Sequence, residues 1–301
     1  MRKFARKKTT SVSSNDKELM AKTTKTTTLD DAQQKMVTLS LSTTGTAPTA
    51  TRETRVADDL LCPLTLELPF VPVTAEDGHV YEQSAIRKHF QARKDQNLPL
   101  TSPMTNHHIG DRLLAAPHVK NIIESLIREH VLTGELVLTW KKTAKQHKDK
   151  ETWLMLAQNG NVEAMSTVGY NYLWGYGAFE HDSPLGFAWT QKAHNAGDVI
   201  ATGRMGYYLV AGCGVKRCQK LGLMYLGIAA GQGFDLSAYF LGIGFAEGRY
   251  GLGMDRIEAI RWLEKCLDQS SSFKRLNQVC KQNARKKLKE LKNPPPSQAN
   301  I

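Results

Sequence analysis

Cysteine is scarce in this chain of 301 residues: Cys62, Cys213, Cys218, Cys266 and Cys280 are all there is. No two of them stand at the two-residue spacing of a structural zinc site, and an odd, scattered set gives no disulfide framework. Without a recognisable secretory leader, free thiols in a reducing compartment are expected. Long apolar runs are missing too. No stretch of about 18 apolar residues occurs, so no membrane-spanning helix is expected. Acidic residues are sparse at both ends. Met1 to Arg55 holds 11 Lys/Arg against 5 Asp/Glu, and Phe273 to Lys292 holds 8 against 1. These two excesses exceed the formal net charge of +11, so the middle of the chain is close to neutral. A broad basic face for nucleic acid is therefore not expected; basic ends more often serve solubility, targeting or weak non-specific attraction.

Large apolar side chains are few before residue 56, where 19 Ser/Thr are found instead. Such a segment buries too little surface to offset the entropy of ordering it, and residues 1–55 read as a disordered tail. Its start, "MRKFARKKTTSVSS", has no acid before Asp16 and also fits an organellar transit peptide. The expected location is otherwise the cytoplasm, with the nucleus as the alternative. Apolar residues and prolines become closely spaced from 56 to 131, which reads as a small α+β domain. Residues 132–152, including "KKTAKQHKDKET", read as a basic linker or solvated helix. Residues 153–270 carry a repeat, and 271–301 read as a basic capping helix and tail that stops at "PPP".

The repeat is visible in its spacing. Gly169, Gly206 and Gly242 are 37 and 36 apart, as are Gly175, Gly212 and Gly248; Trp189, Tyr225 and Trp262 follow at 36 and 37. Each copy reads as helix, glycine-rich turn, helix. Ser183-Pro184 and Asp255 with Glu258 mark two helix starts, the second pair as a capping box. A glycine inside a helix costs about 1 kcal/mol relative to Ala, so close approach of a neighbouring backbone is the expected compensation. Trp153, Trp174, Trp189 and Trp262 are expected between helices, while the orientation of Tyr170, Tyr207 and Tyr208 stays open. The stretches "AMSTVGYNYLWGYG", "ATGRMGYYLVAGCG" and "SAYFLGIGFAEGRYG", followed by "WTQKAHNAG", "YLGIAAGQG" and "WLEKCLDQS", resemble the Sel-1-like repeat, a relative of the tetratricopeptide repeat. That resemblance implies an all-α solenoid that binds a protein substrate or a chaperone-like partner.

The earlier domain has its own signature. "FVPV" and "HVYE" flank Asp77-Gly78, a hairpin turn signal, and two helical patterns follow: "QSAIRKHFQARK", with Ser84 as the expected cap, and "PHVKNIIESLIREH". A unit of about 70 residues normally needs a metal or another staple. The run Cys62-Pro63-Leu64-Thr65-Leu66-Glu67, then Pro72-Val73, Gly78, Tyr81-Glu82 and Ile86, then Ser102-Pro103-Met104-Thr105-Asn106, resembles the U-box, the metal-free counterpart of the RING domain.

That resemblance implies a ubiquitin-protein ligase module, in which hydrogen bonds, ion pairs and a small apolar core replace zinc. Its partner would be a ubiquitin-conjugating enzyme charged with ubiquitin. It implies no cofactor, no metal and no catalytic nucleophile. Leu64 and Pro103, with Ser102 beside the latter, would form the ends of the docking groove; His89 and Phe90 would line it; Asn106 would bond both enzyme and ubiquitin. On that reading Cys62 is a buried small side chain rather than an acceptor of ubiquitin, and the adjacent His107 and His108 do not make a metal pair. The chain departs from the family at Pro69, Val71, Gln83, Ala115 and Ala116, where Met, Asp, Arg, Pro and Asn are usual. The rival reading is therefore a catalytically inactive scaffold. A nucleic-acid-associated adaptor working through the basic ends is a third. Oligomeric state is left open, a dimer included.

Overall fold

The computed structural model describes residues 56–268 and 270–293. The tail expected at 1–55 and the "PPP" stop lie outside them. Described residues fall into two compact units, one ending at Asp149 and one beginning at Lys150. Helix α3, Gly134–Gln158, contributes to both.

The first unit holds β1 (Pro72–Thr74), β2 (Val80–Glu82), α1 (Gln83–Asp95), β3 (Leu114–Ala115) and α2 (Pro117–Arg128), followed by the start of α3. The sheet has the order β2-β1-β3 and is antiparallel throughout, with Val73 opposite Tyr81 on one side and Ala115 on the other. Gly78, at φ +81°, supplies the left-handed residue the β1–β2 turn requires. Helix α1 starts one residue before Ser84: its N-cap is Glu82 and no side chain caps it, so the expected serine cap is not made. One core joins Cys62, Val73, Ala75, Tyr81, Ile86 and Phe90. A second joins Leu68, Ala116, Val119 and Ile123 to Leu132, Val137 and Trp140. The last three lie in the segment read as a linker or solvated helix; it is helical from Gly134, and Trp140 is buried, its ring 5.3 Å from Phe70. The small domain thus borrows the first turns of α3 to finish its core, which a unit of this size needs.

The second unit continues with α4 (Val162–Trp174), α5 (Ser183–Asn195), α6 (Val199–Ala211), α7 (Gln219–Gly231), α8 (Asp235–Glu247), α9 (Arg256–Leu267) and α10 (Gln278–Lys292). The pairs α4/α5, α6/α7 and α8/α9 are the three repeats. Each first helix ends on a glycine in the left-handed region, Gly175, Gly212 and Gly248, where a side chain would be strained. Asn161, Asp182, Asp198, Asp255 and Asn277 cap α4, α5, α6, α9 and α10 with side-chain oxygens. Two expected starts are refined. Asp182, not Ser183, caps α5, with Pro184 as its second residue; Asp255 accepts from the amides of Ile257 and Glu258, while Glu258 pairs with Arg261 at 3.2 Å instead of closing a capping box.

Tyr207 and Tyr208 are buried in the main core with Leu226, Phe240 and Leu263, whereas Tyr170 is half-buried. Trp174 and Trp262 pack against that core and Trp153 and Trp189 against a smaller one. Buried Asp235, the first residue of α8, accepts from the amides of Arg275 and Leu276 at 2.9 and 3.0 Å and so ties down the segment before α10. Burial raises the thiol pKa of Cys266 to about 12 and of Cys280 to about 11, which leaves both unreactive.

Helices within a repeat cross at glycine. A Cβ on Gly206 would lie 2.7 Å from the amide nitrogen of Leu226 and 2.9 Å from the carbonyl of Gly222; one on Gly186 would lie 2.6 Å from the amide nitrogen of Leu173. Backbone cannot retreat as a flexible side chain can, so the crossing excludes even alanine. Gly206→Ala is expected to destabilise the second unit by roughly 1–3 kcal/mol, the range for overpacking. Gly227, also helical but with nothing within 4 Å of its Cβ position, provides the contrast. Gly227→Ala is expected to be neutral or stabilising by up to about 1 kcal/mol. Urea unfolding of both variants checks the pair; equal effects would refute the close-crossing account.

Candidate partner-docking site

Two loops of the first unit carry the motif residues, and each closes on its own backbone. In the first, the amides of Thr65 and Leu66 donate to the Cys62 carbonyl at 3.3 and 2.8 Å, and the Cys62 amide donates to the Glu67 carbonyl at 2.9 Å. The Cys62 side chain is fully buried, its Sγ accepting from the Glu82 amide at 3.1 Å. In the second loop, the Ser102 amide donates to the His107 carbonyl and the Asn106 amide to the Ser102 carbonyl, at 2.9 and 3.0 Å.

Three carboxylates around the hairpin hold the second loop and the segments that flank the two loops. Asp77, with a side chain 2% exposed, accepts at Oδ2 from the Ser102 hydroxyl at 2.6 Å and the Tyr81 phenol at 2.7 Å, and at Oδ1 from the His79 amide at 3.0 Å. The Ser102 oxygen in turn accepts from the amides of Met104 and Thr105. Glu82 accepts at Oε2 from the amides of Phe70 and Val71, at 2.8 and 2.9 Å. Glu76 accepts from the Gly110 amide at 2.6 Å, in a cradle that a Cβ at Gly110 would invade. Burial pushes the Asp77 pKa up, but the hydroxyl of Ser102, the amide of His79, the phenol of Tyr81 and the adjacent His79 ring outweigh it and hold the carboxyl below its ordinary value. Burial first, and then the hydrogen bond to Asp77 and its charge, push the Tyr81 phenol well above its usual range. Among the described residues, no group of three or more His, Cys, Asp or Glu is arranged to hold a metal.

The frame presents some of the expected residues and buries others. Leu64 is half-buried against the core cluster that contains Phe90. Pro103 is half-buried, and Asn106 is exposed at φ +58°. His89 is half-buried, with Nε2 at 3.0 Å from the Thr101 carbonyl, so it ties α1 to the second loop. Phe90 and Ser102, expected at the groove, are buried. Phe90 is 4% exposed and belongs to the core; Ser102 is 2% exposed and its hydroxyl is consumed by Asp77 and two amides. Sequence reading missed Leu66 and Met104, which carry exposed apolar side chains on the same two loops, 38% and 52%. It also read Asp77 as a turn residue alone; the signal available was a set of acids around one hairpin in a small domain without metal ligands.

The departures from the family pattern are accommodated locally. Residue 71 is held through its backbone, its amide by Glu82 and its carbonyl by the Gln83 amide at 3.0 Å, so Val71 preserves that tie. Pro69 is buried. Ala115 pairs with Val73, and the Ala116 amide donates to the Pro72 carbonyl at 3.0 Å. Ala116 leaves α2 without a side-chain cap, although Pro117 removes one of the amides that would need it.

Asp77 makes stability pH-dependent with a definite sign. Its folded pKa lies below the unfolded value of about 3.8, so its contribution is present above that pH and is lost as pH falls through the folded pKa. Asp77→Asn is expected to cost roughly 1.5–3 kcal/mol at pH 7, the range for hydrogen bonds to a charged group. The deficit should shrink on acidification below about pH 4. Denaturant titrations at pH 7 and pH 3 test both; a deficit that does not change with pH would show the carboxylate charge to be immaterial.

The chain is similar to known proteins in both regions. The family model for the U-box domain matches residues 56–132. The chain is 35% identical over 94 residues to U-box domain-containing protein 18 of Arabidopsis thaliana, covering 31% of this chain and 12% of that one. It is 27% identical over 135 residues to a probable bifunctional E2/E3 enzyme of Acanthamoeba polyphaga mimivirus, covering 42% and 10%. The chain thus spans about a tenth of the length of these curated relatives. Among solved structures, a Sel1 repeat protein from Oxalobacter formigenes is 27% identical, covers 46% of this chain and 98% of its own, and superimposes with a TM-score of 0.36. An antigen of uropathogenic Escherichia coli with an SLR fold is 22% identical, covers 47% and 32%, and has the same TM-score. Residues 56–132 of this chain are a U-box domain, and a helical repeat region follows it.

Proposed function

We propose that this chain is a ubiquitin-protein ligase, whose U-box docks a ubiquitin-charged conjugating enzyme and whose repeats hold the protein to be modified. The observation that carries the reading is the pair of loops, the first tied to the Glu82 amide through the Cys62 sulfur and the second held by Asp77, that expose Leu66, Pro103 and Met104 and part of Leu64. Apolar side chains on a pre-formed frame suit docking, because little ordering entropy remains to be lost on binding. Cys62 is buried and engaged, so the transfer would pass from the conjugating enzyme's thioester directly to a substrate lysine. The ligase would then act by orientation, with Asn106 placed to bond the enzyme and ubiquitin. The U-box relatives support the class of activity.

A second reading, a scaffold with an inactive U-box, is favoured by one observation: Ala116 gives α2 no side-chain cap, where the family usually has Asn. Ubiquitin discharge and chain formation, measured with the full-length protein and a panel of charged conjugating enzymes, decide between them. Activity with at least one enzyme is expected. Leu64→Ala and Pro103→Ala should each lower it about tenfold or more, the equivalent of roughly 1.4 kcal/mol of docking. A folded protein inactive with every enzyme would establish the scaffold instead.

A further inference from the structure

In the second unit, a cavity of about 420 Å³ opens between the first helices of two repeats, lined by Glu163, Ser166 and Thr167 of α4, Arg204 of α6, its N-cap Asp198, and Arg275. We propose that this cavity is the subsite through which the repeats hold a polypeptide, and that it takes a single peptide carboxylate on Arg204. The proposal rests on the ligase reading above for its biological setting, but not for its chemistry.

Arg204 is half-buried, and its Nη1 donates to the Ser166 carbonyl at 2.8 Å and to the Ser166 hydroxyl at 3.1 Å. The guanidinium lies over the Tyr170 ring at 4.5 Å. Among the described residues no carboxylate pairs with it, and Nε and Nη2 have no hydrogen-bond partner. A guanidinium held by one nitrogen and one face keeps the edge that engages a carboxylate side-on with two parallel hydrogen bonds. Its orientation is set in advance, so a ligand gains the bonds without the cost of ordering the side chain.

The packing of the repeat does not require a cation here. Arg204 stands two residues before Gly206; the same register holds Thr167 before Gly169 and Phe240 before Gly242. Arg204 is therefore peculiar to the middle copy. The surroundings also limit the charge of the ligand. Glu163 and Asp198 line the cavity too, the Asp198 side chain engaged in capping Ile200. A monoanion neutralises the one cation that is poorly solvated; the second negative charge of a phosphate would face two carboxylates. The chemistry fits either an Asp/Glu side chain or a free C-terminus.

The test pans a random dodecapeptide library with free C-termini, and a second library lacking Asp and Glu with amidated C-termini, on the immobilised full-length protein. Enriched peptides are then synthesised as free acids, as C-terminal amides, with Asp/Glu changed to Asn/Gln, and with the acid replaced by phosphoserine, and their affinities are measured by fluorescence anisotropy. The expected result is enrichment from the first library alone, with loss of one particular carboxylate weakening binding about tenfold or more. Amide and Gln forms distinguish a C-terminal from a side-chain carboxylate. Arg204→Gln should abolish that difference, and Arg204→Lys should leave intermediate affinity, since it keeps the charge and loses the two-pronged edge. An unchanged melting curve shows that each variant folds; if Arg204→Gln does not, the Lys variant and the peptide series decide. Enrichment from the acid-free library, no enrichment at all, tighter binding of phosphoserine peptides, or unchanged affinity in Arg204→Gln each overturns the proposal. Discharge of ubiquitin to free lysine separates the two readings. Carboxylate binding without discharge refutes the ligase and leaves the subsite; discharge by the parent protein whose peptide binding shows no carboxylate dependence refutes the subsite alone.

Discussion

One buried carboxylate sets the geometry of the U-box. Asp77 sits at the tip of a hairpin whose strands are three residues each, too short to be stable by ladder hydrogen bonds alone. By accepting from Ser102 and Tyr81 together it fixes the second loop against the hairpin, and Ser102 then organises the amides of Met104 and Thr105. A buried charge is costly unless its acceptor sites are filled, and here they are filled by groups that would otherwise be unsatisfied themselves. Hydroxyl, phenol and amide therefore do for this loop what a metal does for others: they impose one distance from several directions. Glu82 and Glu76 repeat the device at the amides of Phe70 and Val71 and at Gly110.

The repeats solve a related problem by the opposite means. In the U-box, polar side chains reach across gaps between segments of irregular backbone. In the repeats, side chains are removed so that two regular backbones can touch, at Gly169 and Gly186 and again at Gly206 and Gly222. Both devices exchange local propensity for a fixed distance. The third copy does not need its second glycine: buried Ala259 stands at that register and Gly242 alone admits the Leu263 side chain. This relaxation occurs in the last copy, next to which α10 packs instead of another repeat.

Periodicity and motif made the architecture legible, because they depend on backbone geometry that recurs at fixed spacing. The 36- and 37-residue intervals located three helix pairs and their left-handed glycines, and the U-box signature located the two loops. What failed was the direction of individual side chains. Phe90 and His89 are neighbours on α1, yet one is in the core and the other bonds the second loop. Ser102 and Pro103 are adjacent, and only the serine is spent inside. A motif marks such residues together, while burial separates them. Trp140 was missed for a different reason: it stands between the short apolar run Leu136 to Leu138 and a Lys-rich stretch from Lys141 to Lys150, where the charge dominates the composition. Arg204 left no motif at all, and only comparison of registers between copies makes it stand out.

If the U-box acts as proposed, with no nucleophile of its own, any acceleration would have to come from restricting how its partners meet. That requirement falls on parts of the frame that never touch a partner. If the Asp77 contacts loosened, Leu64, Pro103 and Asn106 would keep their chemistry and lose their mutual placement, and part of the orientational gain would go with it. The same reasoning would apply to the ligand proposed for Arg204, because the Ser166 and Tyr170 contacts hold the guanidinium still. In both units, then, the residues proposed to meet a partner are exposed or half-buried, and those that would hold them in place are buried or half-buried beside them.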